Sequence, residues 1–481
     1  MDNASASINS AFTNNDDFIS SDDIRHEFAL AMSAMYQQEV PLYGDLLDLV
    51  DEVNTEVLAK QPDIKEQLEY TGELARLSME RHGAIRLGTA DELSTMRRLF
   101  AVMGMYPVGY YDLAPAGVPV HSTAFRAIDA EALSNSPFRV FTSLLRLDLI
   151  TDEVLKQQAK AALSKRKIFT DQAIALIDKF ESQGGLNLAD TKQFIIEALE
   201  TFRWHEQAPI SKGLYQQLAD QHALIADVVG FKGPHINHLT PRTLDIDAVQ
   251  QGMQARGIPP KAIIEGPPKR DCPILLRQTS FKALEEAVSF KNEQGSYEQG
   301  QHTARFGEIE QRGVALTSKG RALYDKLLNK ARHQLGATPN QNNASDYYEI
   351  LAKSFAAFPD DYQTMHDEGL AYFYYQAVEQ SINVDAKTRL AKAEITQLIN
   401  QGAIRIEPIV YEDFLPVSAA GIFQSNLKNA EQNDEPGYKG NSNKQEFEQA
   451  LGAQVYDELA LYEAMQAQSL KQCLTAIERC A

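Results

Sequence analysis

Two short stretches of the sequence place an arginine four residues after a histidine and directly before a helical pattern. The first contains His82 and Arg86, and the second contains His238 and Arg242. Histidine is the commonest metal ligand in proteins, and arginine binds carboxylates through two parallel hydrogen bonds. The recurrence predicts an internal duplication in which both histidines bind one metal ion. Arg86, beside that metal, is then expected to hold the carboxylate of a substrate.

The third metal ligand is expected on the last strand of the second copy, where Glu308 and Glu310 share one face. Apolar neighbours indicate that this strand is buried, and a buried carboxylate needs a metal or a charged partner. Glu308 is the favoured ligand and Glu310 the alternative, with Arg312 or an arginine across the sheet as the expected partner of Glu310. Two histidines and one carboxylate leave coordination positions open, as in non-haem Fe(II) enzymes that bind a chelating substrate together with O₂.

Other histidines and a structural role for the arginines are the alternatives to this interpretation. His235 competes with His238, but residues three apart in a strand point to opposite faces, and the repeat favours His238. His235 is therefore expected to pack near the site. Arg86 and Arg242 could instead be structural arginines held in ion pairs. The remaining histidines are expected to be surface or core residues: His26, His121, His205, His222, His302, His333 and His366.

Strands must position both histidines, because each histidine precedes a helical pattern that ends at a glycine, Gly104 or Gly257. The first helix is followed by three runs rich in aromatic and β-branched residues. The second is followed by AIIEGPP, CPILLRQTSFKAL and, after a loop rich in glycine and glutamine, HTARFGEIEQRGVALT. Both copies thus consist of strand, helix and three strands. This order predicts an α+β fold with a duplicated βαβββ core sheet and large helical insertions.

The sequence predicts one catalytic domain, 24–481, after a polar N-terminal segment. Helical periodicity dominates the segments before, between and after the two modules. The predicted segments are a disordered polar tail (1–23), a helical lead-in (24–78), the first βαβββ module (79–150), a helical insertion (151–230), the second module (231–318), a further helical insertion (319–401), and a closing strand with a C-terminal helix (402–481).

Composition and charge exclude several classes of function. The 481 residues carry a formal net charge of −20, which disfavours nucleic acid and anionic membranes as partners. Three cysteines without a CxxC pair argue against a disulfide framework and a cysteine-built zinc site. The N-terminus lacks a signal-peptide pattern, and no apolar run is long enough to span a bilayer, so we expect a cytoplasmic protein. The oligomeric state cannot be inferred from these features.

Five runs of the sequence carry a resemblance to a known family: RHGAIRLGT, VHSTAFR, PFRVFTSLLR, GPHINHLTPR and RFGEIEQRG. Two βαβββ modules with a metal histidine at the head of each are similar to the vicinal oxygen chelate superfamily. More specifically, these runs resemble the 2-oxoadipate dioxygenase/decarboxylase (hydroxyglutarate synthase) family. The resemblance extends from the helical lead-in to the run FLPVSAAGIF.

The resemblance implies an Fe(II) enzyme that converts 2-oxoadipate and O₂ into (R)-2-hydroxyglutarate and CO₂ in lysine catabolism. It implies His82, His238 and Glu308 as the metal ligands, although Glu310 lies in the same motif. It further implies Arg86 as the catalytic and substrate-binding arginine. The pocket loop of the family falls on Val417 and Ser418. The 2-oxo acid would bind the iron through its carboxylate and keto oxygens, so no separate 2-oxoglutarate would be needed.

Two other classes of function are compatible with the same side chains. A zinc or manganese member of the superfamily would be an isomerase or lyase that uses the metal as a Lewis acid and consumes no O₂. A non-enzymatic ligand-binding module would keep its small-molecule binding after His82→Ala, whereas either metalloenzyme would lose its activity. Histidines and a carboxylate alone do not identify the metal, because the general affinity order does not favour iron.

Overall fold

The computed structural model describes residues 18–292, 294–378, 392–414 and 440–480. Within these ranges the chain divides into two compact units. Of the described residues, the first unit comprises 18–261, 279–292, 294–309, 414 and 440–456, and the second comprises 262–278, 310–378, 392–413 and 457–480. The prediction of one catalytic domain over 24–481 stays a prediction. Among the described helices, none combines the length and the apolar character needed to cross a membrane.

The strands of the described residues form three sheets. The largest has seven strands in the order β2-β3-β4-β1-β6-β10-β7, and the two smaller sheets are β5-β8-β9 and β11-β12. The strands are β1 (Arg81–Leu87), β2 (Tyr106–Asp112), β3 (Val120–Arg126), β4 (Arg139–Leu145), β5 (Gln207–Ala208), β6 (His238–Pro241), β7 (Leu276–Ser280), β8 (Glu285–Lys291), β9 (Tyr297–Thr303), β10 (Phe306–Arg312), β11 (Phe373–Ala377) and β12 (Ile404–Pro408).

Helices precede, separate and follow the strands of the large sheet. Those of the first unit are α1 (Ser21–Glu39), α2 (Pro41–Lys60), α3 (Pro62–Tyr70), α4 (Glu73–Leu77), α5 (Ala90–Val102), α6 (Ala130–Asn135), α7 (Glu153–Leu163), α8 (Asp171–Gln183), α9 (Leu188–Phe202), α10 (Lys212–Gln221), α11 (Ala223–Gly230) and α12 (Ile246–Ala255). The remaining helices are α13 (Ser318–Leu335), α14 (Ala344–Phe355), α15 (Tyr362–Asp367), α16 (Lys392–Asn400), α17 (Gly440–Leu451) and α18 (Glu458–Cys480). Of these, α17 belongs to the first unit and the others to the second.

The first module has the predicted order of strand, helix and three strands, β1-α5-β2-β3-β4. β1 pairs in parallel with β4, which follows from the crossover through α5 and the β2-β3 hairpin. Thr89 caps the N-terminus of α5 by accepting a hydrogen bond from the Glu92 amide. Gly104 has a φ of 63°, as a residue after a helix end requires. The sequence pattern therefore specifies this module almost completely.

The second module has β6, α12, β7 and β10 in this order in the large sheet, and Gly257, with a φ of 71°, follows its helix. Its first strand pairs with β1, so the two modules extend from the centre of one sheet as β1-β4-β3-β2 and β6-β10-β7. The run AIIEGPP is not a strand; it makes an isolated bridge between Glu265 and Gln278, where the second module would have its next strand. Two proline residues and Gly266, whose φ is 109°, prevent a longer ladder there. The fold is thus α+β with a duplicated βαβββ core.

Two further segments differ from the sequence-based expectation. The glycine- and glutamine-rich stretch predicted as a loop forms the β8-β9 hairpin, which pairs with β5. Val288 and Phe290 alternate with exposed or half-buried residues in β8, but two apolar residues are a weak strand signal. In the second unit, β11 lies within the segment 319–401 that was predicted to be helical, and it pairs with β12.

The lead-in helix α1 supports the centre of the sheet. The buried Tyr36 hydroxyl lies 2.9 Å from the carbonyl oxygen of Asn237 and 2.8 Å from that of Phe306. These two carbonyls belong to residues at the starts of β6 and β10, which carry His238 and Glu308. Phe28 of the same helix packs edge-on against the aromatic rings of Phe138 and Phe202. The helix therefore fixes the ends of the strands on which the predicted metal ligands lie.

Candidate metal centre and its neighbouring arginine

The structure brings His82, His238 and Glu308 together at the centre of the large sheet. Their ligand atoms all lie within 4.8 Å of one another, and all three side chains are buried. His82 Nε2 is 3.0 Å and His238 Nε2 is 3.9 Å from Glu308 Oε1. The three residues come from β1, β6 and β10, which are consecutive in the sheet, and all belong to the first unit. The strand order thus explains why residues so far apart in sequence converge.

Register places the three side chains on the same face of the sheet. His238 pairs with Ala84 across β1 and β6, and Phe306 pairs with His238 across β6 and β10. Because side chains alternate, His82 shares the face of Ala84, and Glu308 shares that of Phe306. The small side chain of Ala84 leaves room between the two histidines, whose ring centroids are 5.6 Å apart.

Neighbouring side chains hold the three residues in place and keep them dry. Thr240 donates a hydrogen bond of 3.1 Å to Glu308 Oε1. The Phe306 ring stacks on His238 at 4.8 Å, and the Phe414 ring meets His82 edge-on at 4.7 Å. Burial is the main cause that lowers the pKa of His238 to about 4, against the opposing charge of Glu308. At neutral pH this imidazole is uncharged and keeps a lone pair for a metal.

The two glutamates that the sequence could not separate have different surroundings. Glu310 accepts two hydrogen bonds from Arg312, at 2.8 and 2.7 Å, and both side chains are buried. A bidentate pair of this kind satisfies the carboxylate without a metal. Glu308 instead lies beside the two histidines. This geometry favours Glu308 over Glu310 as the third ligand.

The donor set fits a divalent transition metal. Two imidazole nitrogens and one carboxylate oxygen from adjacent strands form the set that non-haem iron enzymes use, with positions left for other ligands. Metals bound at about 2.1 Å hold neighbouring ligand atoms roughly 3 Å apart, which is the separation of His82 Nε2 and Glu308 Oε1. Nδ1 of His238 has no hydrogen-bond partner among the described residues. These side chains could therefore bind a metal with little rearrangement.

Arg86 lies on β1, on the same face as His82 and four residues further along the strand. Its Nη1 donates a hydrogen bond of 2.6 Å to Oδ2 of Asp227, and both side chains are buried. Asp227 is the one charged residue of α11, whose neighbouring residues Ile225 and Val228 pack in the same hydrophobic cluster as Ala84 and Phe414. The helix therefore covers the sheet face that carries the candidate metal centre.

Sequence analysis missed a second buried group of polar residues next to Arg86. Oδ1 of Asp227 lies 2.9 Å from Nε2 of His302 and 3.3 Å from Nε2 of His235. Nδ1 of His302 in turn lies 2.8 Å from the Tyr215 hydroxyl. His235 was expected near the site, whereas His302 was expected to be a surface or core residue. The available signal was Asp227 itself, a lone carboxylate within the apolar stretch ALIADVVG.

The remaining predicted positions are Arg242 and the expected pocket loop. Arg242, the counterpart of Arg86, is held between Glu73 and Glu80 at 2.8 and 3.1 Å. It has the structural role that sequence analysis offered as the alternative for both arginines. Val417 and Ser418, the expected pocket loop, lie outside the described residues.

Comparison with known proteins agrees with the fold and with the family resemblance of the sequence. The sequence model of the 2-oxoadipate dioxygenase/decarboxylase family matches residues 28–426. A 2-oxoadipate dioxygenase/decarboxylase from Pseudomonas putida is 59% identical over 462 residues, which cover 96% of this chain and 98% of the relative. One from Escherichia coli is 54% identical over 455 residues, covering 95% and 98% of the two chains.

A solved structure is similar over nearly the whole chain. The hydroxyglutarate synthase from Pseudomonas putida in complex with 2-oxoadipate superposes with a TM-score of 0.88 at 58% identity, covering 97% of this chain and 100% of that one. The fold and the buried cluster define a duplicated βαβββ protein with a candidate metal-binding group of two histidines and one carboxylate. The chain belongs to the 2-oxoadipate dioxygenase/decarboxylase family, whose members are decarboxylating dioxygenases. The family resemblance inferred from the five sequence runs is confirmed.

Proposed function

We propose that this chain is an Fe(II)-dependent dioxygenase that converts 2-oxoadipate and O₂ into (R)-2-hydroxyglutarate and CO₂, a step of lysine catabolism. The reaction balances, because the six-carbon acid loses one carbon as CO₂ and both atoms of O₂ enter the products. The observation that carries the proposal is the buried grouping of Glu308 with His82 and His238, two histidines at equivalent places in the two modules. The names of the relatives support the substrate and the reaction type.

His82, His238 and Glu308 are the proposed metal ligands. Iron bound there would supply positions for the two oxygens of a 2-oxo acid and for O₂, together with the redox chemistry of the reaction. The neutral imidazole of His238 is ready to donate its lone pair, and Thr240 orients the Glu308 carboxylate. The rings of Phe306 and Phe414 exclude water from this face, which strengthens the electrostatic interactions at the site.

Arg86 is the proposed substrate-binding and catalytic residue, in the sense that it positions the substrate. When 2-oxoadipate binds the metal through its first carboxylate and its keto group, its far carboxylate is free to bind another side chain. Arg86 lies four residues beyond His82, about 13 Å along the strand. The Arg86 side chain is long enough to extend back toward His82, which shortens this distance. A six-carbon acid can then reach from the metal ligands to the guanidinium. We therefore assign the far carboxylate to Arg86.

Val417 and Ser418 remain the proposed pocket loop. Phe414, whose ring touches His82, is the last described residue before them. Val417 follows Phe414 by three residues in the sequence, and the family resemblance supports its assignment to the pocket loop.

The test is O₂ uptake by freshly Fe(II)-loaded protein given 2-oxoadipate, with a chiral assay of 2-hydroxyglutarate. We expect one O₂ consumed for each (R)-2-hydroxyglutarate formed and loss of uptake in His82→Ala. The matched control is His121→Ala, which removes an equally buried histidine of β3 outside the cluster and should retain uptake. Consumption of 2-oxoadipate without O₂ uptake and without 2-hydroxyglutarate, supported by zinc or manganese, would instead establish a redox-neutral isomerase or lyase.

A further inference from the structure

Behind Arg86 lies a buried group with the same donor composition as the candidate metal centre. Asp227, His235 and His302 place one carboxylate oxygen and two ring nitrogens within 4.8 Å of one another. The group therefore has two possible roles, as a second metal site or as a hydrogen-bonded network. The charges and hydrogen bonds around it distinguish these roles.

Charge balance favours the network. Asp227 and Arg86 form an ion pair, and the two charges cancel. A divalent ion added to two neutral histidines would leave a net buried charge of about +2, which is costly in a low-dielectric interior. Burial alone would raise the pKa of Asp227, but Arg86, His235 and His302 lower it well below its usual value. The Asp227 carboxylate is thus charged and already paired with Arg86.

Hydrogen-bond directions also fit a network. A charged carboxylate only accepts, so Nε2 of His302 and Nη1 of Arg86 donate to Asp227 at 2.9 and 2.6 Å. With its proton on Nε2, His302 accepts at Nδ1 from the Tyr215 hydroxyl at 2.8 Å. Every group in the chain Tyr215, His302, Asp227, Arg86 then has a consistent donor or acceptor role. None of them needs a metal.

Aromatic side chains keep this network rigid and dry. The indole of Trp204 lies parallel to the His302 ring, with an interplanar angle of 12°, and meets His235 edge-on at 4.8 Å. Phe231 lies 4.5 Å from His302, and the Arg305 guanidinium covers Trp204 at 4.6 Å. Packing of this kind restricts the rotamers of both histidines and therefore the position of the carboxylate that they contact.

We propose that Asp227, supported by His302 and Tyr215, is a positioning residue that fixes the Arg86 guanidinium for the far carboxylate of the substrate. The inference rests on the proposed function, in which Arg86 binds that carboxylate. A guanidinium is planar and carries five N–H donors in a fixed arrangement, so a bond from Nη1 to a rigid carboxylate sets the orientation of the whole group. A substrate that lacks the far carboxylate should gain little from this arrangement.

The experiment compares 2-oxoadipate with 2-oxohexanoate, a 2-oxo acid of equal chain length without the far carboxylate. In Asp227→Asn we expect KM for 2-oxoadipate to rise about 10- to 100-fold, with a smaller change in kcat, as for the loss of one charged hydrogen bond. The kcat/KM for 2-oxohexanoate should fall much less. Tyr215→Phe should show the same pattern more weakly. The control Asp148→Asn removes the partner of Arg146, an arginine outside the site, and should leave both substrates unaffected.

Four outcomes would overturn the proposal. Equal losses for both substrates in Asp227→Asn and Tyr215→Phe would indicate a general structural role. Two metal ions per wild-type chain, reduced to one in Asp227→Asn, would indicate a second metal site. If Asp227→Asn does not fold, an unchanged preference between the two substrates in Tyr215→Phe would contradict the proposed positioning role. Arg86→Lys separates the two proposals: a changed substrate preference there, with none in the Asp227 and Tyr215 variants, would reject this inference and leave the proposed function intact.

Discussion

The two modules begin with the same histidine and arginine spacing, but their arginines have different surroundings. Arg86 pairs with Asp227 of α11, whereas Arg242 is held between Glu73 and Glu80. Glu80 also pairs with Arg139 of β4, so Arg242 belongs to a buried network of structural ion pairs. The duplicated motif therefore has one copy whose arginine is the proposed substrate-binding residue and one whose arginine belongs to a structural network.

The antiparallel pairing of β1 with β6 explains this difference. His82 lies opposite Thr240 and Ala84 opposite His238, so the two histidines are neighbours at the middle of the strand pair. Because the strands run in opposite directions, the residues four positions later lie at opposite ends of the pair. Arg242 reaches the end where Glu80 precedes β1, and Arg86 reaches the end covered by α11. A symmetric motif thus produces one shared candidate metal centre and two arginines with different surroundings.

The largest difference in the effect of a substitution is expected between the two glutamates of β10. Glu308→Gln should reduce Fe(II) affinity and O₂ uptake by more than about 100-fold, because a neutral amide is a poor iron ligand. Glu310→Gln should leave the iron site intact but destabilise the fold by about 3–5 kcal/mol, since Arg312 would stay buried without its counter-charge. Metal analysis and denaturant unfolding measure both effects. Loss of iron in Glu310→Gln with retention in Glu308→Gln would reverse the assignment.

The two arginines should respond in opposite ways to the same substitution. Arg86→Lys keeps a positive charge beside Asp227 but loses the planar fork, so kcat/KM for 2-oxoadipate should fall about 100-fold with little change in iron binding. Arg242→Lys can satisfy Glu73 and Glu80 less well and should cost about 1–3 kcal/mol of stability, with kcat/KM almost unchanged. Steady-state kinetics and thermal unfolding of both variants give the comparison. Equal loss of substrate use and iron binding in Arg86→Lys would contradict the positioning role.

A smaller effect is expected where the modules differ next to their histidines. Gly83 follows His82, and Leu239, its counterpart after His238, lies directly across the strand pair. A Cβ atom on Gly83 would lie 2.6 Å from Ile236 Cδ1 and 3.1 Å from a Leu239 methyl. Gly83→Ala should therefore cost about 1–3 kcal/mol of stability through overpacking. The double variant Gly83→Ala/Leu239→Ala should lose less stability than the sum of the losses of the two single variants. Purely additive losses would show that the two positions do not compete for space.

Much of the site was predictable because it depends on local patterns. The strand, helix and glycine of each module are encoded within about twenty residues, and the repeat identified His82 and His238 among ten histidines. The sequence favoured Glu308 over Glu310 as the ligand but could not decide between them, because both residues share a face of the strand. The ion pair between Glu310 and Arg312 is visible only in the structure.

The network around Arg86 was not predictable for a different reason. Asp227 is 141 residues from Arg86 in sequence, and His302 is 87 residues from Tyr215. Their contacts depend on how the helical insertion packs on the sheet, which no periodicity in either segment specifies. The β8-β9 hairpin was missed because its strands are largely exposed and carry few apolar residues.

The central claim is that two equivalent histidines, one from each module, bind one metal ion. Anaerobic Fe(II) titration of the metal-free chain tests it most directly, with His121→Ala as the control for loss of a buried histidine. We predict one equivalent of Fe(II) per chain in the wild type and the control, and a loss of affinity of more than about 100-fold in both His82→Ala and His238→Ala. Unchanged Fe(II) binding in either of these two variants would contradict the claim.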